Sequence, residues 1–149
     1  AHADAEPEAP ARQLADRRGA PVPVAPPVIL AVLDWPRAVN LIGQTTLAEA
    51  FGLIAQSGWM VSNDSGLMHV AAAIQVPQVA VFGSSSPLHT PPLSPRARVL
   101  WLKEDPSYKP ALDCAPCFER TCPLGHLRCL NDLTSDRVAT ELQSLTSQA

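Results

Sequence analysis

The placement of proline, more than its amount, decides where this chain can build regular structure. Seven of the sixteen prolines precede Arg37, eight fall between Pro87 and Pro123, and Pro77 stands alone between the two groups. Each proline fixes φ and removes a backbone donor, so helix interiors and central strands are excluded around it. Regular structure is therefore expected chiefly within Val39–Ser86.

In that stretch Thr46 and Glu49 stand at capping-box spacing, and Leu47, Ala50, Phe51 and Ile54 follow at helical intervals. A helix over Leu47–Gln56 is predicted, broken by Gly58 before a strand at Trp59–Ser62. Leu67–Ile74 carries Ala, Leu and Met and suits a helix interior. Gln78–Phe82 is apolar after its first residue, as in a parallel strand covered on both faces. Helix, strand, helix, strand is the rhythm of an open α/β sheet, in which ligands bind beyond the carboxyl ends of the strands. Shorter strands are expected at Val28–Leu33, Val39–Gly43 and Arg98–Leu102. Thr134 or Ser135 is expected to cap a last helix over Asp136–Leu145, with Val138, Leu142 and Leu145 on one face. Arg12–Arg18 has room for a helical turn or two. The expected division is an Ala/Pro-rich, poorly packed segment over 1–36 and one domain over 37–149, with a cysteine-rich loop at 114–129.

The segment Val61–Ala73 contains the sharpest local signal. Asn63, Asp64, Ser65 and Gly66 favour turns and caps and sit between a strand and a helix. A helix N-terminus there offers unpaired N–H groups and partial positive charge, which suit phosphate oxygens. Gly66 would let a ligand approach the backbone. His69 lies one turn into the helix, on the face shared with the first-turn residues, where an imidazole reaches a phosphate. Plain helix capping, and a histidine satisfied within the fold, are the alternatives. A second loop, Gly83–Pro87, leaves the end of the next strand and offers the hydroxyls of Ser84, Ser85 and Ser86, with His89 and Thr90 beyond.

With 46% hydrophobic residues the chain can form a globular core. A net charge of −3 and a pI near 5.7 argue against a nucleic-acid binder. No apolar run approaches the roughly 18 residues of a membrane span. Ala1–Pro10 is acidic and lacks the apolar segment of a secretory leader, so a cytoplasmic protein is expected.

Cys114, Cys117, Cys122 and Cys129 are separated by two, four and six residues, with His126 among them. The first pair has chelating spacing for one tetrahedral zinc, although the later spacings match no common zinc ribbon. Packed reduced thiols are the favoured expectation, no cofactor is required, and zinc and oxidation-linked pairing stay open. Arg120, Arg128 and Lys103 are candidates for a small basic surface toward phosphorylated lipid, against scattered solvated charges.

Four blocks in order, Val61–His69, Gly83–Pro87, Thr90–Leu93 and Cys122–Cys129, resemble the ADP-heptose:lipopolysaccharide heptosyltransferases of type II, inverting glycosyltransferases of family nine. The resemblance covers about Val39–Leu145. It implies a Rossmann-like parallel sheet, the C-terminal nucleotide-sugar-binding half of a GT-B glycosyltransferase. It also implies transfer of L-glycero-D-manno-heptose from ADP-heptose to the inner core of lipopolysaccharide in a Gram-negative bacterium, in the cytoplasm or peripherally at the inner face of the inner membrane. Asp64, Ser65, Gly66 and His69 match its nucleotide-sugar motif, and Thr45 falls where the nucleoside is contacted, with simple helix capping as its alternative. Ser84 and Ser85 are candidates for contact with sugar or phosphate from their loop, against a plain serine-rich turn. A carboxylate repels a diphosphate, so Asp64 suits a sugar hydroxyl or the orientation of a loop. The family's general base belongs to its N-terminal half and its phosphate-assisting lysine lies upstream of the resembling region; neither has a counterpart here. Transfer by these residues without an N-terminal half is not expected. The other readings are a non-catalytic nucleotide-binding fragment and a cysteine or zinc structural module.

Overall fold

The computed structural model describes Val39 and residues 41–147. The segments Arg12–Arg18 and Val28–Leu33, and the expected 1–36 region, lie outside these residues. The chain divides into one compact unit ending at Ala50 and a second beginning at Phe51.

In the first unit the described residues of the expected Val39–Gly43 strand form no strand. Residues 42–44 make a turn, Gln44 donates its N–H to the Leu41 carbonyl at 3.1 Å, and Gly43 takes φ of 72°, outside the strand range. The capping box is realised in full. The Thr46 N–H and hydroxyl donate to Glu49 Oε2 at 2.7 and 2.8 Å, and the Glu49 N–H donates to Thr46 Oγ1 at 3.3 Å. Helix α1 follows over Leu47–Gln56, as predicted. Its expected apolar face is only partly covered, since Ile54 is buried while Leu47 and Phe51 remain exposed.

The second unit continues with β1 (Met60–Asn63), α2 (Gly66–Ala73), β2 (Gln78–Phe82), β3 (Ala97–Trp101) and a 3-10 turn at Leu102–Glu104. It closes with α3 (Arg128–Asn131) and α4 (Ser135–Thr146). The strands form a parallel sheet in the order β1-β2-β3, with Asn63 opposite Val81 and Phe82 opposite Trp101. β1 lies one residue later than the local pattern suggests, because Asn63 pairs with β2 despite its turn propensity while Trp59 stays exposed. β3 ends at Trp101, since Leu102 opens the 3-10 turn.

Strand period two explains the core. Ala80 and Phe82 point to one face of β2 and cluster with Met68 of α2 and Trp101. Val79 points to the other, where Leu100, Leu133, Val138, Leu142 and Leu145 close over it. Both faces of β2 are thus covered, which is why its sequence does not alternate. Full burial of a side chain such as Phe82 contributes about 1.5–3 kcal/mol. Thr134 Oγ1 accepts the Arg137 N–H at 3.4 Å and so caps α4. Among the described residues no helix is long and apolar enough to cross a membrane.

Candidate functional site

Two loops leave the carboxyl ends of the adjacent parallel strands β1 and β2. The Asp64 N–H extends the ladder by donating to the Val81 carbonyl at 3.3 Å. Its carboxylate then accepts the Thr90 hydroxyl at 3.3 and 3.4 Å, joining the β1 loop to the far end of the β2 loop. Asp64 is thus tied to the β2 loop through Thr90.

Ser65 is the N-cap of α2 with extended backbone, and its side chain makes no capping bond. The Ser65 carbonyl accepts the Met68 N–H at 3.1 Å, while helix geometry gives the Gly66 and Leu67 amides no intrahelical acceptor. A Cβ built on Gly66 would meet no protein atom within 4 Å, so the fold itself does not require glycine there. His69 is exposed one turn further on, whereas Met68 beside it is fully buried in the core.

In the second loop the three serines have different environments. Ser86 is buried; its hydroxyl accepts the Leu88 N–H at 3.2 Å and its carbonyl accepts the His89 N–H at 3.1 Å, so it builds the turn. Ser84 and Ser85 are half-buried. The Ser84 carbonyl accepts the Phe118 N–H at 2.8 Å, and the Phe118 ring stacks on His89 at 5.5 Å between centroids. Neither Phe118 nor Leu130, whose side chain fills the space a Cβ on Gly83 would occupy, carries a sequence signal for this role. Asp64, Ser65, Gly66, His69, Ser84 and Ser85 all belong to the second unit, and Thr45, half-buried just ahead of the capping box, belongs to the first.

The cysteine-rich segment lies against this loop. Cys114, Cys117, Cys122 and Cys129 line a cavity of about 30 Å³ together with His126 and Ser84. The Leu127 amide above all, helped by those of Leu124, His126 and Gly125, holds the Cys122 thiol below its ordinary pKa. Burial raises that of Cys129, with a further contribution from the neighbouring Cys117, Cys114 and Cys122. All four cysteines are free, and among the described residues no group of three or more His, Cys, Asp or Glu side chains is placed to hold a metal ion.

Two of the candidates for a basic surface, Lys103 and Arg128, make internal contacts. Lys103 donates to the Leu112 carbonyl at 2.9 Å. Arg128 donates to Asp132 at 3.1 Å and to the Tyr108 hydroxyl at 2.6 Å, and the Tyr108 hydroxyl in turn donates to Asp132. Hydrogen bonds from Tyr108 and then Arg128 lower the Asp132 pKa. Two of the three cations therefore serve internal contacts.

Residues 28–128 match glycosyltransferase family 9 (heptosyltransferase), so the likeness begins upstream of Val39, the start expected from the sequence. The chain is 45% identical over 125 residues to lipopolysaccharide heptosyltransferase 2 of Salmonella typhimurium, covering 80% of this chain and 33% of that protein. It is 42% identical over 109 residues to lipooligosaccharide heptosyltransferase 2 of Haemophilus ducreyi, covering 72% and 29%. The structure of E. coli ADP-heptose LPS heptosyltransferase II superimposes with a TM-score of 0.56 at 43% identity, covering 73% of this chain and 28% of that one. The sheet is thus a partial match to the GT-B fold of that enzyme, and the chain spans about a third of the length of its curated relatives. The chain belongs to glycosyltransferase family 9, the heptosyltransferases.

Proposed function

We propose that these residues form the donor-binding part of a lipopolysaccharide heptosyltransferase II, holding ADP-heptose at the carboxyl ends of β1 and β2. The observation that carries this reading is the Asp64–Thr90 bond, which fixes the two strand-end loops around the open N-terminus of α2. In this arrangement the Gly66 and Leu67 amides and the Ser65 hydroxyl receive the diphosphate, and His69 donates to it from the first turn. Ser85 and Ser84 contact sugar or phosphate from the β2 loop. As an acceptor hydroxyl of the lipopolysaccharide inner core attacks the anomeric carbon, negative charge grows on the departing ADP. The α2 amides and His69 stabilise that charge. The relatives' additional length is where the acceptor site and general base are to be sought, and the reaction needs no cofactor in the donor site. The cytoplasm, where ADP-heptose is the soluble donor, is the proposed compartment, with peripheral contact at the inner face of the membrane that carries the acceptor.

Isothermal calorimetry with ADP tests this reading. One ADP per chain is expected, and His69→Ala is expected to weaken binding by about 1–2 kcal/mol, in the range of a hydrogen bond to a charged group. Unchanged affinity in the variant removes His69 from the site, and no binding by the parent chain overturns the donor-site reading.

A further inference from the structure

The cavity among the cysteines is not what packed thiols would leave. Apolar thiols in a core close on one another, because a void forfeits contacts along its whole lining. Here about 30 Å³ stays open between four sulfur-bearing residues, enough for a water-sized particle or a single ion. Of the side chains lining it Glu119 alone carries a charged oxygen, against four sulfurs, so a thiolate-preferring ion is favoured over a hard cation.

We propose that Cys114, Cys117, Cys122 and Cys129 bind one zinc ion, whose tetrathiolate site braces the loop that follows β2.

Three features prepare the site. The segment after Cys122 turns tightly: the Gly125 N–H donates to the Cys122 carbonyl at 3.1 Å. Gly125 at φ 70° and Leu127 at φ 49° make this turn possible, the former at no steric cost. Secondly, His126 Nδ1 accepts the Arg128 N–H at 3.1 Å, which leaves the ring proton on Nε2. That nitrogen lies 3.9 Å from Cys114 Sγ, so His126 donates toward a sulfur from outside the ligand set, as partners of metal-bound thiolates do. Thirdly, Cys114 and Cys129 both pack against the Leu102, Leu112 and Ala115 cluster, which anchors two ligands from distant parts of the segment in one core.

The sulfurs surround the cavity without yet converging at liganding geometry. Rotation about cysteine side-chain bonds and loss of the thiol protons complete the closure when the ion binds. The consequence reaches the β2 loop through three contacts: the Phe118 N–H to the Ser84 carbonyl, Phe118 stacked on His89, and Leu130 packed on Gly83. Phe118 follows Cys117 and Leu130 follows Cys129, so fixing those sulfurs fixes that wall. Metal binding stands independently of the donor-site reading.

The test is elemental analysis of the whole chain purified under reducing conditions, followed by titration of the metal-free protein with cobalt(II). One zinc per chain is expected, together with intense sulfur-to-cobalt charge-transfer and tetrahedral ligand-field bands that saturate at one equivalent. Cys122→Ser is expected to lose the stoichiometric metal, while His126→Ala keeps it, since the imidazole is not a ligand. Should Cys122→Ser fail to fold, the parent spectra decide alone. A parent chain without zinc whose cobalt spectrum lacks thiolate bands overturns the assignment, as does a mass showing that the thiols are paired as disulfides. Zinc with thiolate bands but no ADP binding upholds the metal site and defeats only the donor reading.

Discussion

Replacing Gly66 by alanine separates the demands of the fold from those of the ligand. Gly66 is the first residue of α2, and an added Cβ meets no protein atom within 4 Å. Its φ is not in the positive region that glycine alone tolerates. Alanine should therefore be accepted without strain and should stabilise the free chain by about 0.5 kcal/mol, the lower end of the range for relieving a helical glycine. For a domain of this ordered size that corresponds to a rise of roughly 2–4 °C in Tm. If the diphosphate sits on the Gly66 amide, the same methyl occupies ligand space. Overpacking of about 1–3 kcal/mol then raises the Kd for ADP by roughly five- to 150-fold. Differential scanning calorimetry and ADP titration on the same preparation give both numbers. A more stable variant with unchanged affinity would place the ligand elsewhere, and a variant that unfolds would refute the open space in front of α2.

Thr90→Val removes the hydroxyl that Asp64 holds, and should change stability by no more than about 1 kcal/mol while weakening ADP binding; equal affinity would separate the loop tie from the site. Hydrogen bonds from the side chain and backbone of Ser107, helped by Arg137, lower the Asp105 pKa from 3.8 to about 2. Its ionised form therefore stabilises the fold at neutral pH, and that contribution fades as pH falls from about 4 toward 2. Asp105→Asn should be less stable than the parent at pH 7 and approach it as pH falls to about 2, and urea titrations with parallel loss at both pH values would contradict this. Supplied with ADP-heptose and a truncated lipopolysaccharide, the 149 residues alone should give no detectable transfer, with activity appearing on addition of a relative's N-terminal half. A missing general base typically costs a factor of about 100 to 10,000, and poor acceptor positioning adds to it, so robust transfer by the chain alone would refute the assignment of the base to another domain.

The parts of the fold legible from sequence are those decided locally. Thr46 and Glu49 settle the start of α1 through bonds three residues apart, and the apolar run of β2 follows from its being covered on both faces. Val39–Gly43 misleads because its apolar residues suit a strand, yet Gly43 turns the chain. At the candidate site, Asp64–Gly66 and His69 stand out in the sequence because a strand, a turn and a helix start share one short segment. Ser86 is not distinguishable from Ser84 and Ser85 by type, although it alone is taken up by the turn. Phe118 and Leu130 reach the β2 loop only through tertiary packing, which no periodicity encodes. The cysteine spacings likewise do not reveal the cavity that the folded segment encloses.

The most direct test of the central claim is amide-resolved NMR of the chain titrated with ADP. Saturable shifts confined to Asp64–His69 and the Gly83–Thr90 loop, with the amides of Gly66 and Leu67 moving most, are the predicted result. Shifts centred on other parts of the chain, or none at millimolar ADP, would contradict the placement of the donor at the carboxyl ends of β1 and β2.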